Sequence, residues 1–194
     1  MKSLLIILIS FVILSGCKSK FDKDIPLGKK NFSLISQDST IVNFPQDFNG
    51  KPMLLGFIFT NCPDVCPMTS HNFQMVQEEA KSKGIKDVNF VLISFDPERD
   101  RPWVLDQYAR VRDINKSNYK LLTGSREDIN ALMKKLQVIA IPGDTTKTSE
   151  GDAVYFFTHT DRAFLVDKDN KIRTEYRASK LNVAEVVDDI RSLE

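Results

Sequence analysis

Metal-binding side chains are scarce in this chain. Its 194 residues include 3 cysteines, 2 histidines and 1 tryptophan. Three cysteines are too few for a small fold stapled by disulfides. Charge of one sign is missing too. With 27 Lys and Arg against 26 Asp and Glu, the net charge is +1, which argues against a nucleic-acid partner, since such proteins carry a basic excess. Glycine and proline number only 8 each, so the chain is neither collagenous nor low-complexity. The longest N-terminal apolar run, Leu4 to Leu14, spans 11 residues, whereas a membrane-crossing helix needs about 20. What is present, 42% hydrophobic and 27% charged residues, is the make-up of one globular domain with at most a tail.

The N-terminus reads as an address. Lys2 precedes the short apolar run, and small residues follow it, the pattern of a secretory signal. Leu14-Ser15-Gly16-Cys17 resembles the bacterial lipobox, in which the cysteine is lipidated and becomes the new N-terminus. Three parts are therefore expected: a signal peptide over 1–16, a tether over 17–28 starting at lipidated Cys17, and a domain over 29–194. Cleavage removes only Lys2 among the charges, so the mature chain has 26 of each sign and a net charge of zero. The expected location is extracytoplasmic, at a bacterial membrane through the lipid, where disulfides persist.

The domain alternates strands and helices. Phe32 to Ile35 and Ile41 to Phe44 alternate apolar and polar residues about a Gln37-Asp38-Ser39 turn, which predicts a hairpin. Met53 to Phe59 is continuously apolar, as a strand buried on both faces is. A helix opening near Pro67, with Phe73, Val76 and Ala80 on one side, precedes a second buried strand, Val88 to Phe95. Further helices are expected after Pro102 and after Ser125, either side of a strand at Tyr119 to Leu122. Ile141 to Gly151 reads as a polar loop. Ala163 to Val166 and Ile172 to Tyr176 form a second hairpin, followed by a helix carrying Val183, Val186, Val187 and Ile190. The order implies an α/β fold, a central mixed sheet flanked by helices with an N-terminal β-hairpin, compatible with a thioredoxin-like domain. Chemistry in such sheets gathers beyond the carboxyl ends of strands.

Cys62 and Cys66 occupy such an end, between a buried strand and a helix. The helix N-terminus favours thiolate. A thiolate pair can close to a disulfide or bind a soft metal ion, and each use excludes the other. A static structural disulfide is the plainer alternative. Of the two imidazoles, His71 reads as a surface residue. His159 follows the apolar run Ala153 to Phe157, and by itself it reads equally well as a loop histidine. Asp64 and Asp96 lie near the cysteines and read as solvated or capping carboxylates rather than ligands.

Thr60-Asn61-Cys62-Pro63-Asp64-Val65-Cys66-Pro67 resembles the active segment of the Sco/SenC family of copper chaperones. Ser94-Phe95-Asp96-Pro97-Glu98-Arg99-Asp100 and Leu122-Thr123-Gly124-Ser125 resemble two further family blocks, and His159 falls where the family's copper-binding histidine is expected. The resemblance runs from about Phe32 to Ile190. It implies a thioredoxin-like fold, one copper ion, Cu(I) or Cu(II), held by Cys62, Cys66 and His159, and a redox pair formed by the two cysteines. It implies a copper-receiving partner, cytochrome c oxidase subunit II or another such protein, whose CuA centre is assembled, and a monomer. Two departures stand out: Arg101 where the family often has Thr, and Thr158 before His159 where an acidic residue is common. The second bears on how the imidazole is oriented.

Other functions stay open at this point. An extracytoplasmic thiol–disulfide reductase needs the two cysteines but not His159, so whether the protein is an enzyme is undecided. A peroxiredoxin-type peroxidase would place Thr three residues before its reactive cysteine, but Phe59 and Pro63 occupy those positions. A binding lipoprotein with a passive disulfide remains a further alternative.

Overall fold

The computed structural model describes residues 20–28, 30–62, 65–143, 146–147, 153–154 and 157–194. In chain order the elements are β1 (Ile25–Pro26), β2 (Phe32–Ser36), β3 (Ile41–Phe44), β4 (Met53–Ile58), α1 (Val65–Ser82), β5 (Asn89–Ser94), α2 (Pro102–Val111), β6 (Tyr119–Gly124), α3 (Arg126–Lys135), β7 (Ala140–Pro142), β8 (Thr146–Lys147), β9 (Ala153–Val154), β10 (Phe157–His159), β11 (Ala163–Val166), β12 (Lys171–Tyr176) and α4 (Val183–Arg191). Eight strands form one mixed sheet in the order β1-β12-β11-β4-β5-β6-β2-β3. β4, β5 and β6 run parallel, and both hairpins add antiparallel strands. This is the thioredoxin-like α/β architecture expected, with β2 and β3 as the N-terminal hairpin.

β4 sits in the middle of the sheet, and all six of its residues are buried. Gly56 lets α1 come close. A Cβ there would stand 2.9 Å from both the Phe73 ring and Leu92 Cδ2. Phe73 is fully buried over this gap, a burial that contributes about 2–3 kcal/mol. The contact sets the height of α1 above β4, and so the place of Cys66 in the first turn of α1. Tyr108 of α2 hydrogen-bonds Ser70, and Gln74 donates to the Arg112 carbonyl just after α2. α4 packs along α1. Ser125 caps α3 by accepting from the Asp128 N–H, as its position suggests.

Two expectations need correction. The segment from Ile141 to Gly151 is not all loop. Ala140–Pro142 pairs antiparallel with Phe157–His159, forming a two-stranded ribbon separate from the main sheet, and Thr146–Lys147 pairs with Ala153–Val154. The polar composition hid these strands, because a ribbon outside the core has no buried face to show as alternation.

Nor do residues 20–28 hang as a free tether. β1 pairs with β12, Leu27 is buried, Lys20 pairs with Asp189 at 2.7 Å, and Asp24 bonds Lys171 and Arg173. Charged side chains with partners along a sheet edge gave this segment no apolar period to read. Residues 1–19, including Cys17, lie outside the described residues. Among the described residues no helix is long and apolar enough to cross a membrane.

Candidate metal centre

Two supports converge on the carboxyl end of β4. The first carries the cysteines. Cys62 lies just past β4, and Cys66 lies in the first turn of α1. Both are buried, Cys66 completely and Cys62 to 9% exposure. Both are thiols, not joined by a disulfide. The Cys66 N–H donates to the Cys62 sulfur at 3.4 Å, which places that sulfur on the positive end of α1.

A buried carboxylate pins this arm from behind. Asp100, fully buried, accepts from the Thr60 N–H at 3.0 Å, from the Thr60 hydroxyl and from the Ser94 hydroxyl. It thereby ties the loop after β5 to the residue two before Cys62. Burial raises the Asp100 carboxyl's pKa despite these bonds. On the other side, Ser70 Oγ donates to the Cys66 carbonyl at 3.0 Å, and Tyr108 reaches the same carbonyl at 3.4 Å.

The second support carries His159, on β10 rather than in a loop. Its ring packs on Phe95 at 5.1 Å, within a cluster of Phe59, Phe95 and Phe157 whose centroids lie 5.1–5.3 Å apart. Its Nδ1 faces the Thr160 carbonyl at 3.1 Å. That carbonyl can only accept, so the proton is on Nδ1 and Nε2 is the nitrogen offered to the sulfurs. The imidazole is thus oriented by a backbone carbonyl, with Thr158 before it.

Nε2 lies 3.7 Å from the Cys66 sulfur. The three donor atoms of Cys62, Cys66 and His159 all lie within 4.8 Å of one another. Two ligand atoms on one ion, with bonds of about 2.0–2.3 Å, can be at most about 4.6 Å apart, so a modest closure of the three donors brings them onto a single ion.

The electrostatics hold protons on this pair. The Cys66 thiol is pushed far above its ordinary pKa by its hydrogen bond to Cys62, by burial and by the Cys62 charge. Burial alone would lower the His159 pKa, but the hydrogen bond to Cys62, the Thr160 carbonyl and the charges of Cys62 and Asp161 outweigh it and raise it. A metal entering between them would take the place of the thiol protons and accept the Nε2 lone pair of His159.

His71 is exposed on the outer face of α1 and takes no part in this cluster. Asp64 lies outside the described residues. Asp96 is not solvated: it is completely buried and meets Arg99 at 3.4 Å and Arg126 at 3.6 Å. It is an ion-pair anchor of the loop after β5, held by Arg99 three residues on in the same loop and by Arg126 of α3. Sequence reading missed Asp100, Thr60, Ser70 and Tyr108. The block from Ser94 to Asp100 was the available signal, since its last residue is the one that reaches back to Thr60.

The SCO1/SenC family model matches residues 23–194. The chain belongs to the SCO1/SenC family. Among solved structures it is similar to a SCO1/SenC family lipoprotein from Bacillus anthracis (28% identity, 90% of this chain and 97% of that one, TM-score 0.72). It is similar to Bradyrhizobium japonicum ScoI with copper bound (29% identity, 85% and 98%, TM-score 0.70). A third similar structure, BsSco, is described as a member of the Sco family of cytochrome c oxidase assembly proteins in which a disulfide switch is identified (27% identity, 89% and 95%, TM-score 0.69).

Proposed function

We propose that this protein is a membrane-tethered copper metallochaperone that binds one copper ion tightly through Cys62, Cys66 and His159 and delivers it, as a monomer, to the CuA centre of cytochrome c oxidase, with subunit II as recipient. The observation that carries this reading is the convergence of two thiols and one imidazole Nε2 within 4.8 Å. Cu(I) is soft and suits two thiolates and an imidazole. Copper is cargo here. Two thiolates with Cu(I) leave one negative charge, so no dense basic patch is required around the site. Similarity to a copper-bound ScoI and to an oxidase assembly protein supports the same cargo and recipient.

The extracytoplasmic, lipidated location rests on Leu14-Ser15-Gly16-Cys17 and on similarity to a family lipoprotein. If Cys17 carries the lipid, only Lys18 and Ser19 separate it from the docked Lys20. Three residue steps span at most about 10 Å, so the domain would ride close to the membrane surface.

One observation favours a second activity, reduction of a partner's disulfide. Cys62 is the more accessible thiol, and Cys66 is recessed behind it. The Cys62 thiolate would attack the partner disulfide to form a mixed disulfide. Cys66 would then lose its proton and displace the partner's second thiolate, leaving a Cys62–Cys66 disulfide and two reduced partner thiols.

The deciding experiment is copper titration of the reduced protein and of its Cys62→Ser, Cys66→Ser and His159→Ala variants, paired with an oxidase-assembly assay. One copper per wild-type chain, lost in the variants together with oxidase assembly, is expected. Full copper content in His159→Ala would remove the histidine from the site. Assembly that survives without copper binding but needs both cysteines would favour the reductase.

A further inference from the structure

The chain's other histidine has its own sulfur neighbours. On the outer face of α1, Met68, His71 and Met75 are all exposed, the two methionines to 44% and 40%. At 100° per residue they fall within an arc of about 60°, on the side of the helix opposite Phe73. His71 stands three residues after Met68 and four before Met75, the spacings that make side chains neighbours on a helix, with Cβ atoms about 5–6 Å apart. The remaining described methionines are core residues: Met53 is 1% exposed and Met133 7%. Among the described residues, then, every methionine outside the core flanks the one histidine that the metal centre does not use.

We propose that Met68, His71 and Met75 form a second, weaker Cu(I) site on the surface of α1. The proposal rests on the copper reading above. Thioethers and imidazole are soft, neutral ligands that select Cu(I), and the unbranched methionine side chain has the rotational freedom to close around an ion held by His71. Neutral ligands leave the ion's charge uncompensated, so the site holds copper more loosely than two thiolates do. Met68 is two residues from Cys66 along α1, but at 100° per residue the two project from nearly opposite sides of the helix, so the surface site and the tight site occupy separate faces of the same end of α1.

The test uses the full chain, anaerobically, in a weakly chelating Cu(I) buffer. With all three cysteines changed to serine, the protein is expected to retain one Cu(I). The methyl resonances of Met68 and Met75 should shift on binding, while those of Met53 and Met133 stay still. Adding Met68→Leu, His71→Ala and Met75→Leu should weaken retention at least tenfold without changing the melting temperature. In the wild-type chain the same methyl shifts should appear only after the first equivalent. Loss of all copper from the folded cysteine-free chain, while the wild type still binds one, overturns this proposal alone, as does retention indifferent to the three substitutions. If the serine variant does not fold, absence of the wild-type shifts beyond one equivalent overturns it. A wild-type chain that takes up no copper overturns both readings.

Discussion

The two arms of the metal centre are built differently. The cysteine arm grows out of the middle of the eight-stranded sheet, from a strand whose every side chain is buried. Buried hydrogen bonds accepted by Asp100 and donated by Ser70 and Tyr108 hold it. The histidine arm is a two-stranded ribbon outside that sheet, with partly exposed side chains along β10. Its ring is placed by stacking on Phe95 and by one bond to Thr160. Local opening is cheapest where few apolar contacts are buried. The thiols are therefore pre-organised, and the imidazole is the ligand with room to adjust. Such an asymmetry suits a protein that must release its ion, because a site can open at its looser ligand without unfolding its core.

Five substitutions probe this contrast. The largest effect is expected from Cys62→Ser or Cys66→Ser, which should take tightly bound copper from one per chain to none, read by metal analysis after desalting. Asp100→Ala comes next. It strands the Thr60 and Ser94 donors in the interior, and denaturant unfolding should show a loss of about 2–4 kcal/mol. If the loss is instead within about 0.5 kcal/mol, the cysteine arm is not held as described.

Phe157→Ala removes two ring contacts from the cradle of His159. Each aromatic pair is worth about 0.5–1.5 kcal/mol, so copper affinity should fall about tenfold, while thiol reactivity stays at the wild-type level. An equal effect on both readouts would erase the distinction between the arms.

Tyr108→Phe should be the mildest, below about 1 kcal/mol at neutral pH. Burial chiefly lifts the Tyr108 hydroxyl from 10.0 to about 12. A folded-state pKa above the unfolded one contributes stability that is whole below pH 10 and is lost as pH rises towards 12. Across that window each pH unit removes about 1.4 kcal/mol. The variant's stability should fall less steeply there, which unfolding curves at pH 9, 10 and 11 would reveal.

Much of the cysteine arm is legible from local pattern. Met53 to Phe59 announces a buried strand, and the turn into α1 follows at once, so the strand end and its two thiols are local facts. The histidine arm is not local. His159 reaches Cys66 across 93 residues, and the residues between include a ribbon with no apolar alternation. Only the family resemblance singled His159 out in advance. Asp100 and Asp96 show the same limit in another form. Each is an acidic residue in a charged segment, where exposure is the natural reading, yet both are completely buried because Thr60 and Arg126, distant in sequence, join local partners around them.

The sequence by itself determined the order of the core strands and helices, the strand-to-helix junction that carries Cys62 and Cys66, and the cap at Ser125. These depend on neighbours a few residues apart, where periodicity and turn chemistry act. Only the tertiary structure decided that His159 presents Nε2 to the sulfurs, that Asp100 braces the cysteine loop from behind, and that residues 20–28 lie along the sheet edge. Those depend on groups brought together by burial of a shared core. The free energy that assembles them is spread over the whole sheet, so no local stretch of sequence carries its sign.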